Sequence, residues 1–552
     1  MATISGAQAQ RYATEVFTND QVTVTPDVVF GQNIDFLTSD FSNPAIYGPQ
    51  VVQLQTLVTT GQPIPPEFFN PGDPSTAVKV ANLRMDVYQP DPTVDCDEDR
   101  AVFIFLHTGN CLPPPINGSP AGTRKDSSAV EVCKRMARRG YVAISASYRG
   151  GWNPLGATVE IRKGTLLNAI YRALHDVKQC IRTVKANAGD LNVAPDKIVV
   201  YGEGTGGYIA LATATLDDPA ELYIEKFLPD PFDPTTSYVD STLVGNIEGF
   251  GGQLCLYRPN GQNSDFNFCV NAGGALADTS WLAPGDVPMV AFHTAFDPFA
   301  PFTEGIVIVP TTGEQVVAVQ GANLFMQLVN QYGNNAAFAN FPDGDPFTDR
   351  ARSLYGTTQV HSSSTVNINT GVEGLFPLVT TDWPAILPQT NEEPSPWQWW
   401  DPNSPIAQTV VIQGPPPVTA TQASQASNPN FGPTKGRAYI DTIVGYMSPR
   451  IVAALQLNGD LVQVGDACDD GDANTVNDVY VGNCVCQGVP IGMNENSRML
   501  GYELFDATGR RVRTASVNAL QFTLDRSGLQ PGAYFLTIRM VDGLVTRKVT
   551  MD

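Results

Sequence analysis

A glycine occupies the position at which this sequence is arranged to present a nucleophile. Residues 198–201 are apolar and largely β-branched, and residues 202–207 contain four glycines before a helical pattern begins. A strand that turns sharply into a helix exposes the residue at its apex. Between Gly202 and Gly206 that apex is Gly204. Because glycine has no side chain, this position offers no oxygen or sulfur to attack a carbonyl carbon.

The residues beside the apex do not replace the missing group. Thr205 follows it, so we expect its side chain to point away while its backbone N–H can still stabilise an oxyanion. Glu203 precedes it and is expected to pack between the strand and the helix. Neither arrangement matches a nucleophile that is hydrogen-bonded to a base. The alternative nucleophiles come from a separate polar loop and are Ser362, Ser363 and Ser364.

A nucleophile of this kind works with a base and with an acid that orients the base. An apolar run over residues 288–294 ends close to Asp297, which is the candidate acid. The candidate base is His361, the one histidine that follows Asp297. The alternative interpretation of His361 is an ordinary loop histidine, because without a nucleophile nothing needs to hold its imidazole in place. The other histidines are interpreted as structural: His107, His175 and His293.

Strands and helices alternate around the glycine-rich turn. Residues 83–90 alternate between apolar and polar side chains, as a half-buried strand does, and residues 101–106 are continuously apolar, as in a strand buried on both faces. The pattern predicts a helix over 129–139, a strand over 141–149 and a helix over 166–186. Such alternation predicts a parallel sheet with right-handed crossovers.

With these landmarks in this order, residues 83–457 resemble the carboxylesterase branch of the α/β-hydrolase family. The resemblance implies a doubly wound, mostly parallel sheet in a hydrolase domain over residues 80–457. It also implies an oxyanion hole made by Thr108, Gly109 and the N–H of Thr205. We therefore expect a pseudo-hydrolase without esterase activity. The alternatives are an active esterase with a displaced serine and a carbohydrate-binding pseudoenzyme; an engineered loss of the serine would give the same sequence.

Composition and charge exclude several classes of function. The chain has 552 residues and a formal net charge of −22. Such acidity argues against nucleic acids and anionic membranes as partners. No apolar run approaches the ~20 residues that a membrane span requires. The nine cysteines predict disulfides and export.

The pairing of the cysteines cannot be derived from their spacing. One candidate pair, Cys255 and Cys269, flanks a loop rich in glycine and asparagine. The other candidates lie near the C terminus and are Cys468, Cys484 and Cys486. Because the number of cysteines is odd, one thiol stays free or bridges to another chain.

An acidic loop lies among the C-terminal cysteines, in a segment over residues 458–490. Its candidate ligands stand at every second residue, a spacing that directs oxygen atoms from one loop to a single hard cation. We expect calcium there, because four oxygen-bearing side chains repel one another without a cation. The alternative is a disulfide-stapled acidic turn that holds no ion. The expected ligands are Asp470, Asp472, Asn474, the carbonyl of Val476, and Asp478.

The last sixty residues alternate as strands between glycine-containing turns. They contain D-x-x-G-R over 506–510, L-x-P-G-x-Y-F over 529–535 and D-G at 542–543. The combination resembles the C-terminal sorting domain of type IX secretion, over residues 491–552. The resemblance implies a small all-β domain of the β-sandwich type, a type IX translocon as partner and a Gram-negative host. The protein is then expected to be secreted or held on the cell surface.

Two further segments are an N-terminal extension and an arm within the hydrolase domain. Residues 1–79 are predicted to be a strand-rich N-terminal extension, with residues 11–36 forming strands that lie before the hydrolase core. A Pro/Trp-rich arm over 384–436 is too long for a plain connection, and packing of its tryptophans is preferred to a carbohydrate platform. Both segments suit contacts between copies, so we expect self-association. The alternative is that both segments wrap around their own domain. The carbohydrate interpretation of the tryptophans implies a polysaccharide as partner.

Overall fold

The structure is a computed structural model. It describes residues 10–309, 313–361, 364–379, 393–481, 484–490, 497–541 and 543–551. The chain divides into two compact units. The first unit comprises Met1–Asp91 and Asp97–Asp460, and the second comprises Pro92–Cys96 and Leu461–Asp552.

The first unit contains both strands and helices. Its strands are β1 (Val22–Ile34), β2 (Val80–Pro90), β3 (Arg100–Leu106), β4 (Val142–Ala146), β5 (Val193–Glu203), β6 (Phe268–Ala272), β7 (Met289–Thr294), β8 (Glu304–Ile308), β9 (Gln315–Gln320), β10 (Thr358–His361), β11 (Ser364–Asn367), β12 (Leu375–Leu378), β13 (Val410–Ile412) and β14 (Val418–Thr419). Its helices are α1 (Pro44–Thr59), α2 (Ser127–Arg138), α3 (Val159–Ala186), α4 (Ala188–Leu191), α5 (Thr205–Thr215), α6 (Ser241–Val244), α7 (Ala322–Gln331), α8 (Pro346–Arg352), α9 (Ala420–Gln425) and α10 (Pro433–Leu455).

A central sheet of eight strands runs in the order β1-β2-β4-β3-β5-β6-β7-β12. β2 pairs antiparallel with both β1 and β4, and the strands from β4 to β12 pair in parallel. Every residue of β3 is buried, as expected of a parallel strand covered on both faces. The predicted α/β-hydrolase architecture is confirmed. The carboxyl ends of the parallel strands meet at one edge, where such folds carry their sites.

Helices cover both faces of the sheet. α3 and α5 contribute Leu174 and Ile209 to one apolar core, and α2 and α10 contribute Val132 and Ile443 to the other. The helix predicted over 166–186 is α3, which begins earlier because the side chain of its N-cap threonine accepts a hydrogen bond from the first turn. None of the helices in the described ranges is long and apolar enough to cross a membrane.

The N-terminal extension differs from the prediction. β1 pairs with β2 and is an edge strand of the central sheet, so the prediction that residues 11–36 lie before the hydrolase core is wrong. The physical reason is burial: Phe30 and Ile34 are 4% and 0% exposed, and pairing with β2 removes them from water. Pro26 and two register shifts interrupt β1, and both features disfavour pairing with another chain.

The second unit is an all-β domain, as predicted. Its strands are β15 (Thr475–Tyr480), β16 (Cys486–Pro490), β17 (Met499–Asp506), β18 (Arg511–Ala519), β19 (Gly532–Met540) and β20 (Gly543–Met551). β15 and β16 form a hairpin, and the other four form an antiparallel sheet in the order β18-β17-β19-β20. Tyr502, Leu504 and Leu536 lie in its small core.

Both disulfides of the described chain belong to the second unit. Cys96 pairs with Cys484, and Cys468 pairs with Cys486. The prediction that Cys255 and Cys269 are disulfide-bonded is wrong, because both are free and buried. In the dry interior these thiols behave as small apolar side chains. The other free and buried cysteines are Cys111, Cys133 and Cys180.

Candidate functional site

The turn between β5 and α5 has the sharp geometry that the glycines predict. Gly204 at its apex has φ 54° and ψ −114°, a conformation that residues with side chains rarely adopt. A Cβ at Gly202 would overlap the carbonyl group of Gly206, and a Cβ at Gly206 would overlap the carbonyl oxygen of Leu106. The strand and the helix approach this closely because both flanking positions are glycine.

Thr108 fills the space beside the apex. A Cβ at Gly204 would overlap Thr108 Oγ1 and would stand 3.1 Å from Thr108 Cβ. Nδ1 of the adjacent His107 faces the carbonyl oxygen of Thr108, at 2.6 Å, and not its hydroxyl. Burial lowers the pKa of His107 to about 4. The imidazole is therefore neutral at neutral pH.

The three residues predicted to form an oxyanion hole lie together. Thr108, Gly109 and Thr205 line one cleft, and the N–H groups of Gly109 and Thr205 make no hydrogen bond to the described chain. The N–H of Asn110 donates to Thr205 Oγ1 at 2.7 Å, which joins the loop after β3 to the start of α5. Two free donors beside a helix N-terminus form a polar environment that favours an oxygen atom with partial negative charge.

Asp297 lies at the carboxyl end of β7 with its side chain 1% exposed. Its Oδ1 accepts hydrogen bonds from the N–H groups of Phe299, at 2.7 Å, and Ala300, at 2.9 Å. Its Oδ2 is 3.8 Å from Nε2 of His293, which itself lies 3.0 Å from the carbonyl oxygen of Ala300. Burial raises the pKa of Asp297 to about 7.

His361 is positioned apart from the other candidate residues. It ends β10, and its ring meets the ring of Phe296 edge-on, with the centroids 6.3 Å apart. It is not among the described residues that line the cleft with Asp297. Ser364 pairs with His361 across the β10–β11 hairpin. The other alternative serines lie outside the described residues: Ser362 and Ser363.

A cleft of about 660 Å³ brings Gly204 and Asp297 together with the oxyanion residues. Much of its remaining wall comes from the described part of the Pro/Trp-rich arm, including Gln398 and Trp400. Tyr208, one turn after the apex on α5, lines this cleft and also an apolar chamber of about 110 Å³. The arrangement can hold a polar group beside two N–H donors and an apolar group beyond them.

The arm is anchored by residues whose roles the sequence did not fully indicate. Trp397 is 0% exposed, in agreement with the packing interpretation, while Trp400 stacks on Phe431 with ring centroids 4.0 Å apart. Nε2 of Gln398 donates to Oε1 of Glu203, whose pKa is raised by burial. Sequence reasoning placed Glu203 in packing but gave no partner for it. The one sequence feature that could have indicated this partner was Gln398, a polar residue between Trp397 and Trp399.

The acidic loop of the second unit only partly matches the predicted ligand set. Carboxylate oxygens of Asp469, Asp470 and Asp478 lie within 4.8 Å of one another. Oδ1 of Asp472 instead accepts hydrogen bonds from the N–H and side-chain amide of Asn474. The predicted carbonyl donor Val476 lies in β15. Oδ1 of Asp478 is buried without a hydrogen-bond partner, as expected of an oxygen that could bind a cation.

Two family models match the chain. Residues 116–240 match the family described as BD-FAE, and residues 487–552 match the secretion system C-terminal sorting domain. The chain carries an esterase-like α/β-hydrolase domain and a type IX sorting domain. The sorting domain makes this a secreted or cell-surface protein of a Bacteroidetes-type Gram-negative bacterium, handled by the type IX secretion system. No curated protein matches the sequence.

Solved structures similar to the hydrolase-like protein include three of esterase 2 from Thermogutta terrifontis. The form phosphorylated by paraoxon is 21% identical over 40% of this chain and 69% of that chain, with a TM-score of 0.26. The apo form is 19% identical over 40% and 70%, with a TM-score of 0.25. The butyrate-bound form is 20% identical over 40% and 70%, with a TM-score of 0.25. A likeness of this degree assigns no residue roles.

Proposed function

We propose that this exported protein is a catalytically silent member of the hydrolase fold, which acts outside the cell as a binding or structural component. The observation that carries the proposal is the pair formed by Gly204 and Thr108. The apex has no side chain, and the Thr108 hydroxyl fills the space where one would begin. Removing the nucleophile from such a site leaves at most the weak effects of binding and oxyanion stabilisation.

The surroundings of Asp297 support the same conclusion. In a working triad the acid receives an imidazole N–H and fixes the orientation of the base. In the described chain, Oδ1 of Asp297 receives two backbone N–H groups, and Nε2 of His293 lies 3.8 Å from Oδ2. The hydrogen bonds described for Asp297 therefore give no support to a base that would activate a serine displaced from the apex.

The proposal is tested on the native, full-length protein. We expect no labelling by a fluorophosphonate probe and no turnover of p-nitrophenyl butyrate above buffer. A second protein, Gly204→Ser with Thr108→Ala, restores a hydroxyl and removes the overlapping oxygen. We expect it to stay silent, because Asp297 orients no imidazole. Labelling of any serine in the native protein, located by mass spectrometry, would contradict the proposal and support the displaced nucleophile.

We also propose that calcium stabilises the second unit. Asp469, Asp470 and Asp478 would hold the ion, and its charge would offset the repulsion among three clustered carboxylates. The partnerless oxygen of Asp478 supports this proposal. Asp470 is less available, since its oxygens already accept hydrogen bonds from Thr475 and Gly488.

Self-association is proposed with a changed physical basis. The N-terminal strand β1 is an edge of the central sheet rather than a separate arm, so an edge-to-edge contact would have to extend that sheet despite Pro26 and the register shifts of β1, which disfavour such pairing. Light scattering on the full-length protein tests this, and a monomeric mass at micromolar concentration would exclude the contact.

A further inference from the structure

An amine, a carboxamide and a carboxylate meet inside the Pro/Trp-rich arm. Nζ of Lys435 donates a hydrogen bond to Oδ1 of Asn428 at 2.9 Å, and it forms an ion pair with Oε2 of Glu393. Lys435 lies in the first turn of α10, and Asn428 lies between α9 and α10. Glu393 is at the other end of the described arm, so the fold, and not closeness in sequence, brings the three groups together.

The three groups are largely removed from water. The side chain of Glu393 is 0% exposed and that of Lys435 is 17% exposed, while Asn428 is 5% exposed. Both charges of this ion pair have therefore lost much of their hydration, which is costly. Transfer of one proton from the amine to the carboxylate leaves two neutral groups, and it gives the amine a lone pair with which to attack.

The carboxamide of Asn428 is held beside the amine by its remaining hydrogen bonds. Its Nδ2 donates to the carbonyl oxygens of Gln398, at 3.0 Å, and Ser395, at 3.4 Å. Fixed positioning of two reacting groups is a large part of the acceleration of intramolecular reactions. Asn428 also lines the cleft beside Gly204, so a small molecule released from its side chain reaches that cleft.

We propose that Lys435 and Asn428 become joined by an isopeptide bond, an amide between their side chains, with Glu393 as the catalytic residue that moves the protons. Glu393 first accepts a proton from Nζ. The amine lone pair then attacks Cγ of Asn428, and a Cγ–Nζ bond forms.

The leaving group of this reaction is ammonia. Glu393 passes its proton to Nδ2 and takes a second proton from Nζ, the Cγ–Nδ2 bond breaks, and Nδ2 departs with three hydrogens. Nζ keeps one hydrogen, and Glu393 ends as a neutral carboxyl group. One amide replaces another, so the reaction needs no oxidant, reductant or co-substrate. The product also removes a cation from the start of α10, where the helix dipole disfavours positive charge.

The bond closes a short covalent loop over residues 428–435. Phe431 lies inside this loop and stacks on Trp400, with the ring centroids 4.0 Å apart. Trp400 in turn lines the cleft. The isopeptide bond therefore fixes one wall of the cleft permanently, whether or not the protein hydrolyses esters.

Peptide mapping of the native, full-length protein tests the proposal. Chymotrypsin cleaves the denatured chain after Phe431, which stands between the two partners. We expect the peptides on either side of that cut to stay joined, with a mass lower than the sum of the two free peptides by one molecule of ammonia. Trypsin should fail to cleave after Lys435, because an acylated lysine is not a trypsin site.

Two variants separate the bond from the ion pair. Lys435→Arg keeps a cation beside Glu393 but removes the primary amine, so its two peptides should separate completely. Glu393→Gln keeps the shape but cannot accept the proton, so linking should be at least about a hundredfold slower, as for the loss of a general base. The linked fraction is followed over time after purification, and thermal melts check that both variants are folded.

The chain provides a matched control at an exposed site. Nζ of Lys185 donates to Oδ1 of Asn263, so the same two groups meet at the surface. We expect trypsin to cleave after Lys185, as after any free lysine. Separate peptides and a free Lys435 amine in the native protein would overturn the proposal. Undiminished linking in Glu393→Gln, or a link between Lys185 and Asn263, would also overturn it, because the buried carboxylate would then not be required.

Discussion

Thr108 Oγ1 lies where the Cβ of a residue at position 204 would stand, so Thr108 and Gly204 are complementary in volume. The hydroxyl of one loop fills the space that the apex of another leaves open. The two positions are therefore coupled, and a side chain can return to the apex only if Thr108 shrinks or moves. This relationship makes the loss of the nucleophile part of the local packing.

The first prediction concerns stability at the apex. Gly204→Ser should lower the free energy of unfolding by about 1–3 kcal/mol, because a residue with a side chain is strained at φ 54°. The overlap of the new Cβ with Thr108 should lower it further. Adding Thr108→Ala should recover the part due to the overlap. Urea unfolding measures both. The control is Gly189→Ser, where a Cβ meets nothing within 4 Å, and a loss there equal to that at Gly204 would contradict the prediction.

The second prediction concerns pH. Burial raises the pKa of Asp297 to about 7, above its ordinary value of 3.8, so the folded state binds the proton more tightly than the unfolded state. The resulting stability is fully present below about pH 4 and is lost as the pH rises through 7. Asp297→Asn should therefore be more stable than the native protein at pH 8, by up to about 4 kcal/mol, since the pKa rises from 3.8 to about 7 and each pKa unit corresponds to about 1.4 kcal/mol.

The measurement for this prediction is urea unfolding at pH 5 and pH 8. Asp126 remains in the variant, and its pKa is also raised to about 7 by burial, so some pH dependence should persist. Asp190→Asn, at an exposed site, should leave the native pH dependence unchanged. An identical difference between pH 5 and pH 8 in native protein and Asp297→Asn would show that Asp297 does not titrate as described.

The third prediction concerns calcium. Adding calcium to the full-length protein should raise the melting temperature of the second unit, and a chelator should reverse the rise, because an ion bound only by the folded state stabilises it. Asp478→Asn should abolish the shift. Asp472→Asn discriminates between the two ligand sets: it should keep the shift if Asp469, Asp470 and Asp478 hold the ion, and lose it if the spacing-based set is correct. Identical melting with calcium and chelator would refute both.

The fourth prediction concerns the thiols. Alkylation of the denatured, unreduced protein should modify five cysteines, and prior reduction should raise the number to nine. In the folded protein the five should react slowly, because all are buried. Intact mass spectrometry counts the modifications. Three modified thiols in the unreduced sample would indicate a third disulfide, such as one between Cys255 and Cys269.

The sequence predicted those elements whose local residue pattern matches their position in the fold. Positions 202 and 206 leave no room for a Cβ, because backbone segments approach closely there. The turn could therefore be identified from its glycines in the sequence. The edge strand β1 was misplaced because alternation predicts a strand but not its neighbour: only the burial of Phe30 and Ile34 against the sheet determines that. The same limit applies to Cys255 and Cys269, since sequence spacing says nothing about the direction of a side chain in a packed interior.

Individual residues of the site could be predicted from the sequence, but the contacts between them could not. Asp297 and Thr205 follow from their positions after β7 and β5. The contact between Gln398 and Glu203 joins residues 195 positions apart, and no periodicity reports such a contact. A long-range hydrogen bond inside a buried cluster depends on how the arm docks, which is a property of the assembled core.

The fifth prediction follows from that contact. Gln398→Ala removes the donor to Glu203, which is 1% exposed, and leaves a buried carboxyl group with one partner fewer, at a cost of about 1–3 kcal/mol. Because Gln398 belongs to the arm, the cost should appear as local opening of the arm before global unfolding. Thermolysin, which cleaves beside apolar residues, should cut the arm of this variant near Ile406 or Ile412 faster than that of the native protein. Gln408→Ala, an exposed glutamine of the same arm, is the matched control. Equal cleavage rates for the two variants would show that the Glu203 contact does not hold the arm.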